Sequence, residues 1–244
     1  GTRDPDRDVC DYSDLDMILY YAALPSEASL AQACEQNGGT DRKALAERTE
    51  AQFLEHYFVD GIECQCAHTT IGEWESDMAA VLEGLDVTSP LQKALSGMEE
   101  AIPLYGEPLL REWQAKLANY PDALAVAMVE HYLALFPLWG LQERLKTRDA
   151  TLWHTQMLVD TAHSLLGTLA GLNRLYFSTF QFKKMHRFIE KMTLAPSDLA
   201  ARLEAVFHLE PDEARVQSRA LMSETVALVE QQLPQVDTAR IRRR

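Results

Sequence analysis

Asp14 and Asp16 flank Leu15 at the head of the run Leu15-Asp16-Met17-Ile18-Leu19-Tyr20-Tyr21. In an extended strand, side chains at i and i+2 leave the same face roughly 7 Å apart, so both carboxylates can turn toward one divalent cation. Mg2+ takes oxygen ligands in octahedral geometry and is commonly held by one or two carboxylates together with substrate phosphates. A pair of aspartates at a strand end suits that chemistry, although taken alone it also describes a solvated turn entering a strand. Cys64, Cys66 and His68 repeat the two-residue spacing further along. Alternate positions on one strand rarely wrap a tetrahedral ion, and no second ligand pair stands at zinc-site spacing, so the cysteines are expected to pack in a core.

The elements that must position these groups follow from local signals. Leu15 to Tyr21 is apolar and aromatic, suited to a buried strand, and the turn-rich segment Arg3 to Asp14 leads into it. After Pro25, Ser26 is an N-cap for a helix that ends before Asn37-Gly38-Gly39, with a loop beyond. Gln52 to Val59 and Ile62 to Thr70 flank Asp60-Gly61, the dipeptide of a tight antiparallel hairpin. A helix is expected from Ile71 to Leu85, with a linker at Val87-Thr88-Ser89-Pro90. From Leu91 to Leu233 the pattern is helical, about six helices broken at Pro103–Gly106, Tyr120–Asp122 and Ala195–Asp198, with Ser197 and Asp198 as candidate caps. The fold class is therefore α+β: a small mixed-sheet domain over residues 1–88, then an all-α helical bundle over residues 89–244.

Gly1-Thr2, eleven intervening residues, and Asp14-Leu15-Asp16-Met17 resemble the signature of the DNA polymerase β-like nucleotidyltransferase superfamily, in which Gly-Ser or Gly-Gly at a helix start precedes Asp-h-Asp/Glu-h. The resemblance implies that Asp14 and Asp16 bind Mg2+ and catalyse transfer of a nucleoside monophosphate, taken as AMP from ATP, to a hydroxyl acceptor with release of pyrophosphate. It implies that Gly1, Thr2 and Ser13 belong to the nucleotide site, roles that a glycine and a helix N-terminus can serve physically. Because the chain opens inside this loop, further sequence is expected before Gly1. The family also implies a third carboxylate on a neighbouring strand. Its register falls on Gln65, which cannot act as a base, so Glu63, on the same face, is the substitute.

Leu169-Ala170-Gly171-Leu172-Asn173-Arg174-Leu175-Tyr176-Phe177 and Phe182-Lys183-Lys184-Met185 resemble a segment in the helical domains of antibiotic-type nucleotidyltransferases. This implies that Lys183 or Lys184 reaches the triphosphate, whereas Asn173 and Tyr176 are equally suited to capping or packing. Arg148 and His154 match the loose spacing of the HEPN ribonuclease-toxin domains, a match frequent enough by chance that RNA cleavage is not assigned. The alternative to an enzyme is a nucleotide-binding pseudoenzyme or a regulatory partner of toxin–antitoxin type that lacks a full carboxylate triad.

Composition narrows the partners. The chain has 244 residues, 47% of them apolar, and a net charge of −14. Affinity for nucleic acid rests on Lys and Arg neutralising phosphates, so a compact NTP and a small hydroxylated acceptor are the expected partners, with nucleic acid disfavoured. No apolar run reaches the roughly 18 residues that cross a bilayer and no secretory signal is evident, so no membrane partner and a cytoplasmic location are expected. The four cysteines are expected as free thiols.

Overall fold

The computed structural model describes residues 14–134 and 150–242 of the chain. It is a mixed α+β protein in which a four-stranded sheet precedes a series of helices. The backbone divides into two compact units, Gly1–Met78 and Ala79–Arg244. The division falls inside a helix, ahead of the turn at Val87–Pro90. The first turn of that helix carries Trp74, whose indole lies 5.5 Å from the Tyr20 ring of the first strand, so the helix begins as part of the sheet's unit.

The first unit holds β1 (Leu15–Tyr21), α1 (Glu27–Gln36), β2 (Thr40–Ala44), β3 (Gln52–Val59), β4 (Ile62–Thr70) and the start of α2 (Ile71–Leu82). The strand order is β1-β4-β3-β2, with β1 parallel to β4 and the other pairs antiparallel. Ser26 caps α1 by accepting the Ser29 N–H at 3.1 Å, and the helix runs out at Asn37 before Gly38, whose φ is +73°. Asp60 and Gly61 both have positive φ (50° and 81°), the backbone of a type I′ turn, whose twist matches that of the strands it joins. β2 occupies the segment expected to be a loop. Its sequence, Thr40-Asp41-Arg42-Lys43-Ala44, is polar and mostly exposed, so pairing with β3 rather than an apolar pattern makes it a strand. A register shift between Thr40 and Lys43 interrupts that pairing.

Alternation along β4 separates two faces. Cys64, Cys66 and His68 are buried, while Glu63, Gln65 and Ala67 are half-exposed on the other side. Phe53 and Glu55 of β3 pair with His68 and Cys66, and so share the buried face.

The second unit contains the remainder of α2, then α3 (Gln92–Glu100), α4 (Glu107–Ala118), α5 (Asp122–Ala134), α6 (Thr151–Leu172), a 3-10 helix (Thr179–Lys184), α7 (Met185–Glu190), α8 (Leu199–Ala205), α9 (Pro211–Gln232) and α10 (Ala239–Arg242). The breaks at Pro103–Gly106 and Tyr120–Asp122 separate long helices as expected, and the short helices make the unit more fragmented than the sequence pattern suggests. Asp198 precedes α8 in a left-handed conformation (φ 52°) and makes no side-chain cap bond, so the expected cap is replaced by a turn. α6 packs on α5 through Gly167 and Gly171. A Cβ at Gly171 would meet the Met128 Cβ at 2.9 Å and the Ala125 carbonyl at 3.1 Å.

Asn173, just past α6, uses both ends of its amide. Nδ2 donates to the Leu169 and Leu194 carbonyls at 2.8 and 2.9 Å, and Oδ1 accepts the N–H groups of Thr193 and Leu194 at 2.8 and 2.9 Å. Tyr176 is buried and donates its hydroxyl to the Leu117 carbonyl at 3.0 Å. Both residues of the second motif are therefore structural pins. Among the described residues, no helix is long and apolar enough to cross a membrane.

Candidate functional site

The parallel register of β1 and β4 sets Leu15 opposite Cys64 and Asp16 opposite Gln65. Asp14 and Glu63, one residue earlier on each strand, continue the same alignment. Side chains of paired residues leave the same side of a sheet. Asp14, Asp16, Glu63 and Gln65 therefore form one polar block on the half-exposed face, with the buried cysteines behind it. Asp14 and Asp16 are both exposed.

Gln65 is part of this block as a donor. Its Nε2 gives a hydrogen bond to Asp14 Oδ2 at 2.6 Å, which orients the carboxylate. Glu63, expected from the sequence as the substitute base, shares the face but has a partner: its Oε1 lies 2.7 Å from Nδ1 of His56. His56 stands opposite Gln65 on β3, and sequence reasoning missed it because its contact arises only once the hairpin register is set. Among the described residues, no group of three or more His, Cys, Asp or Glu side chains is placed to hold a metal ion. The donor set here is thus Asp14 and Asp16, two exposed oxygen donors on one strand face. That set suits Mg2+, which draws its other ligands from water and phosphate.

The opposite face carries an ionic chain. Tyr21 Oη meets His68 Nδ1 at 3.0 Å, and His68 Nε2 meets Glu55 Oε1 at 3.1 Å. Glu55 Oε2 pairs with Arg42 Nη2 at 2.5 Å, and Arg42 Nη1 reaches Glu27 Oε1 at 2.6 Å. Arg42 and Arg48 both lie over the Phe53 ring, at 5.8 and 5.5 Å from its centroid. Burial holds the His68 imidazole below its ordinary range, opposed by the neighbouring Glu55 carboxylate. The hydrogen bond from Arg42 lowers the Glu27 carboxyl. Cys34, Cys64 and Cys66 are free thiols on buried positions, and Cys66 donates weakly to the Tyr57 hydroxyl at 3.5 Å.

Lys183 and Lys184 end the exposed 3-10 helix of the second unit. The Lys183 ammonium lies 4.3 Å from the Phe180 ring centroid, and Lys93 contacts the same ring at 3.5 Å. Gly1, Thr2, Cys10 and Ser13 lie outside the described residues, as does Arg148. No family model, no curated protein and no solved structure matches the chain.

Proposed function

We propose that the Asp14–Asp16 face is the metal-binding part of a nucleotidyl-transfer site, acting on an NTP, taken as ATP, and a small hydroxylated acceptor. The observation that carries this reading is the block of Asp14, Asp16, Glu63 and Gln65 on one exposed face of two parallel strands. Asp14 and Asp16 would hold Mg2+, which when bound screens phosphate charge and orients the phosphoryl oxygens. Gln65 keeps the Asp14 carboxylate turned. Glu63 accepts the proton of the acceptor hydroxyl as that oxygen bonds to the α-phosphorus and the bond to pyrophosphate breaks.

The test has two parts. Calorimetric titration with Mg·ATP should show binding that Asp14→Ala and Asp16→Ala weaken by on the order of 10-fold or more. Pyrophosphate release is then followed with aminocyclitols, polyols and nucleosides as acceptors.

Gln65 favours a second reading, a nucleotide-binding regulator without transfer, because a neutral amide bonded to Asp14 occupies the position expected for the third carboxylate. Binding of Mg·ATP without pyrophosphate release from any acceptor, and release on Gln65→Glu, would select it.

A further inference from the structure

We propose that His56 is a positioning residue for Glu63, holding that carboxylate so that its free oxygen faces the acceptor hydroxyl; this rests on the transfer reading above. His56 belongs to β3 and Glu63 to β4, on either side of the Asp60-Gly61 turn. The hairpin register sets His56 opposite Gln65 and Phe58 opposite Glu63, so the contact between His56 and Glu63 is diagonal and lies on the face that carries Asp14 and Asp16. Cross-strand diagonals are long enough that only extended side chains span them. Here the imidazole and the Glu side chain meet at 2.7 Å.

The chemistry of the contact fixes what lies between the two atoms. A neutral imidazole nitrogen without a proton and an ionised carboxylate are both acceptors and would repel at 2.7 Å. A proton therefore sits between them, and with Glu63 ionised it belongs to Nδ1 of His56. One carboxylate oxygen, Oε1, is thereby committed to an N–H donor. The other, Oε2, has no partner among the described residues. His56 has 17% of its side chain exposed against 36% for Glu63, and its ring packs against Phe58 with centroids 6.0 Å apart. The donor is the more fixed partner and the acceptor the more open one, which is the order needed if the carboxylate is to be presented outward.

In the transfer step, the acceptor O–H bond breaks and its proton goes to Glu63 Oε2. The acceptor oxygen forms its bond to the α-phosphorus, and the electron pair of the bond to the β-phosphate oxygen departs with pyrophosphate. His56 keeps its proton throughout. Its contribution is to remove rotational freedom from the carboxylate before the reaction, a preorganisation worth more in kcat than in nucleotide affinity.

The experiment compares wild type with His56→Phe, which keeps a ring against Phe58 and loses the donor, and His56→Asn, whose amide nitrogen can take the place of Nδ1. Pyrophosphate release from Mg·ATP is measured with the acceptor found most active in the survey above. The expected result is a kcat lowered by on the order of 10- to 100-fold in His56→Phe, a KM for ATP changed by less than about twofold, and partial recovery in His56→Asn. Nitrogen NMR of the wild-type protein reads the same contact without turnover and should show Nδ1 of the His56 ring protonated. A wild-type rate unaffected by His56→Phe, a loss that His56→Asn does not relieve, or a ring protonated only at Nε2 would overturn the positioning role and leave the transfer reading standing. Absence of pyrophosphate release from the wild type with every acceptor removes the transfer reading, and the role of His56 with it.

Discussion

Gln65 gives its amide N–H to Asp14 across two parallel strands at 2.6 Å. A carboxylate with one oxygen hydrogen-bonded is turned but not neutralised, so the pair joins the proposed metal ligand to the side chain that orients it. Substituting Gln65→Glu exchanges that donor for a fourth carboxylate on the face that already carries Asp14, Asp16 and Glu63. Without metal, the thermal midpoint should fall below that of wild type through like-charge repulsion. In millimolar Mg2+ it should rise further than wild type does, with Mg2+ bound about tenfold tighter because ligand charge sets affinity. Equal shifts in the two proteins would argue against a cation at this face.

Glu55 is 2% exposed and lies between Arg42 and His68. Removing one partner of a buried ion pair leaves the other charge in a poor solvent, typically at a cost of about 3–5 kcal/mol. Because Arg42 keeps 20% of its side chain exposed, the lower end of that range is expected for Arg42→Ala by urea denaturation. Adding Glu55→Ala should cost less than the two single losses combined. Strict additivity would mean that the contact carries no coupling.

The same chain predicts how stability depends on acid. His68 has a folded pKa below its ordinary value, because burial disfavours the imidazolium. The unfolded chain therefore takes up a proton near pH ~6.5 that the fold resists, and stability declines as pH drops below that value, by up to about 1.4 kcal/mol per pH unit for one proton. Glu27 acts lower down. Its carboxyl is depressed by Arg42, so its stabilisation is present above the ordinary carboxylate range and is lost as pH falls through the folded value. Urea midpoints from neutral pH to about pH 3 should show both declines, and His68→Gln should remove only the upper one. A wild-type profile that is flat between about pH 7 and 5 would count against the buried neutral imidazole.

Gly171 and Gly97 make an opposed pair of tests. Gly171→Ala drives a methyl into Met128 and the Ala125 backbone, and overpacking of this kind costs about 1–3 kcal/mol. A Cβ at Gly97 in α3 meets nothing within 4 Å, so Gly97→Ala should stabilise by roughly 0.5–1 kcal/mol through helix propensity. Chemical denaturation of both variants checks the signs. A neutral Gly171→Ala would mean that α5 and α6 part easily.

Particular elements show where the sequence was sufficient. β1, the Ser26 cap and the hairpin at Asp60-Gly61 depend on neighbours in the chain, and each forms where the local pattern places it. But β1, expected to be buried, is an edge strand with Leu15, Ile18 and Leu19 exposed, because its apolar run reports strand propensity and not what covers it. β2 was hidden because a polar five-residue segment becomes a strand only when β3 offers it hydrogen bonds. The shared face of Asp14, Asp16, Glu63 and Gln65 combined two local readings, strand alternation and the hairpin, with a parallel pairing that sequence did not supply. His56 was hidden for the same reason as β2: its partner is named by register rather than by spacing. Arg42 and Glu55 were missed because ion pairs between separate elements leave no periodic trace.

The two faces of β4 differ in how much freedom they allow. Cys64, Cys66 and His68 are buried, and a slip of one residue would send all three to water and draw Glu63 and Gln65 inward. The parity of the strand is thus held from behind, by residues with no part in the proposed chemistry. Simultaneous replacement of Asp14, Asp16, Glu63 and Gln65 should leave the sheet aligned. The outer face is in that sense an interchangeable surface on a fixed frame, able to accept a different set of reactive groups without a new fold.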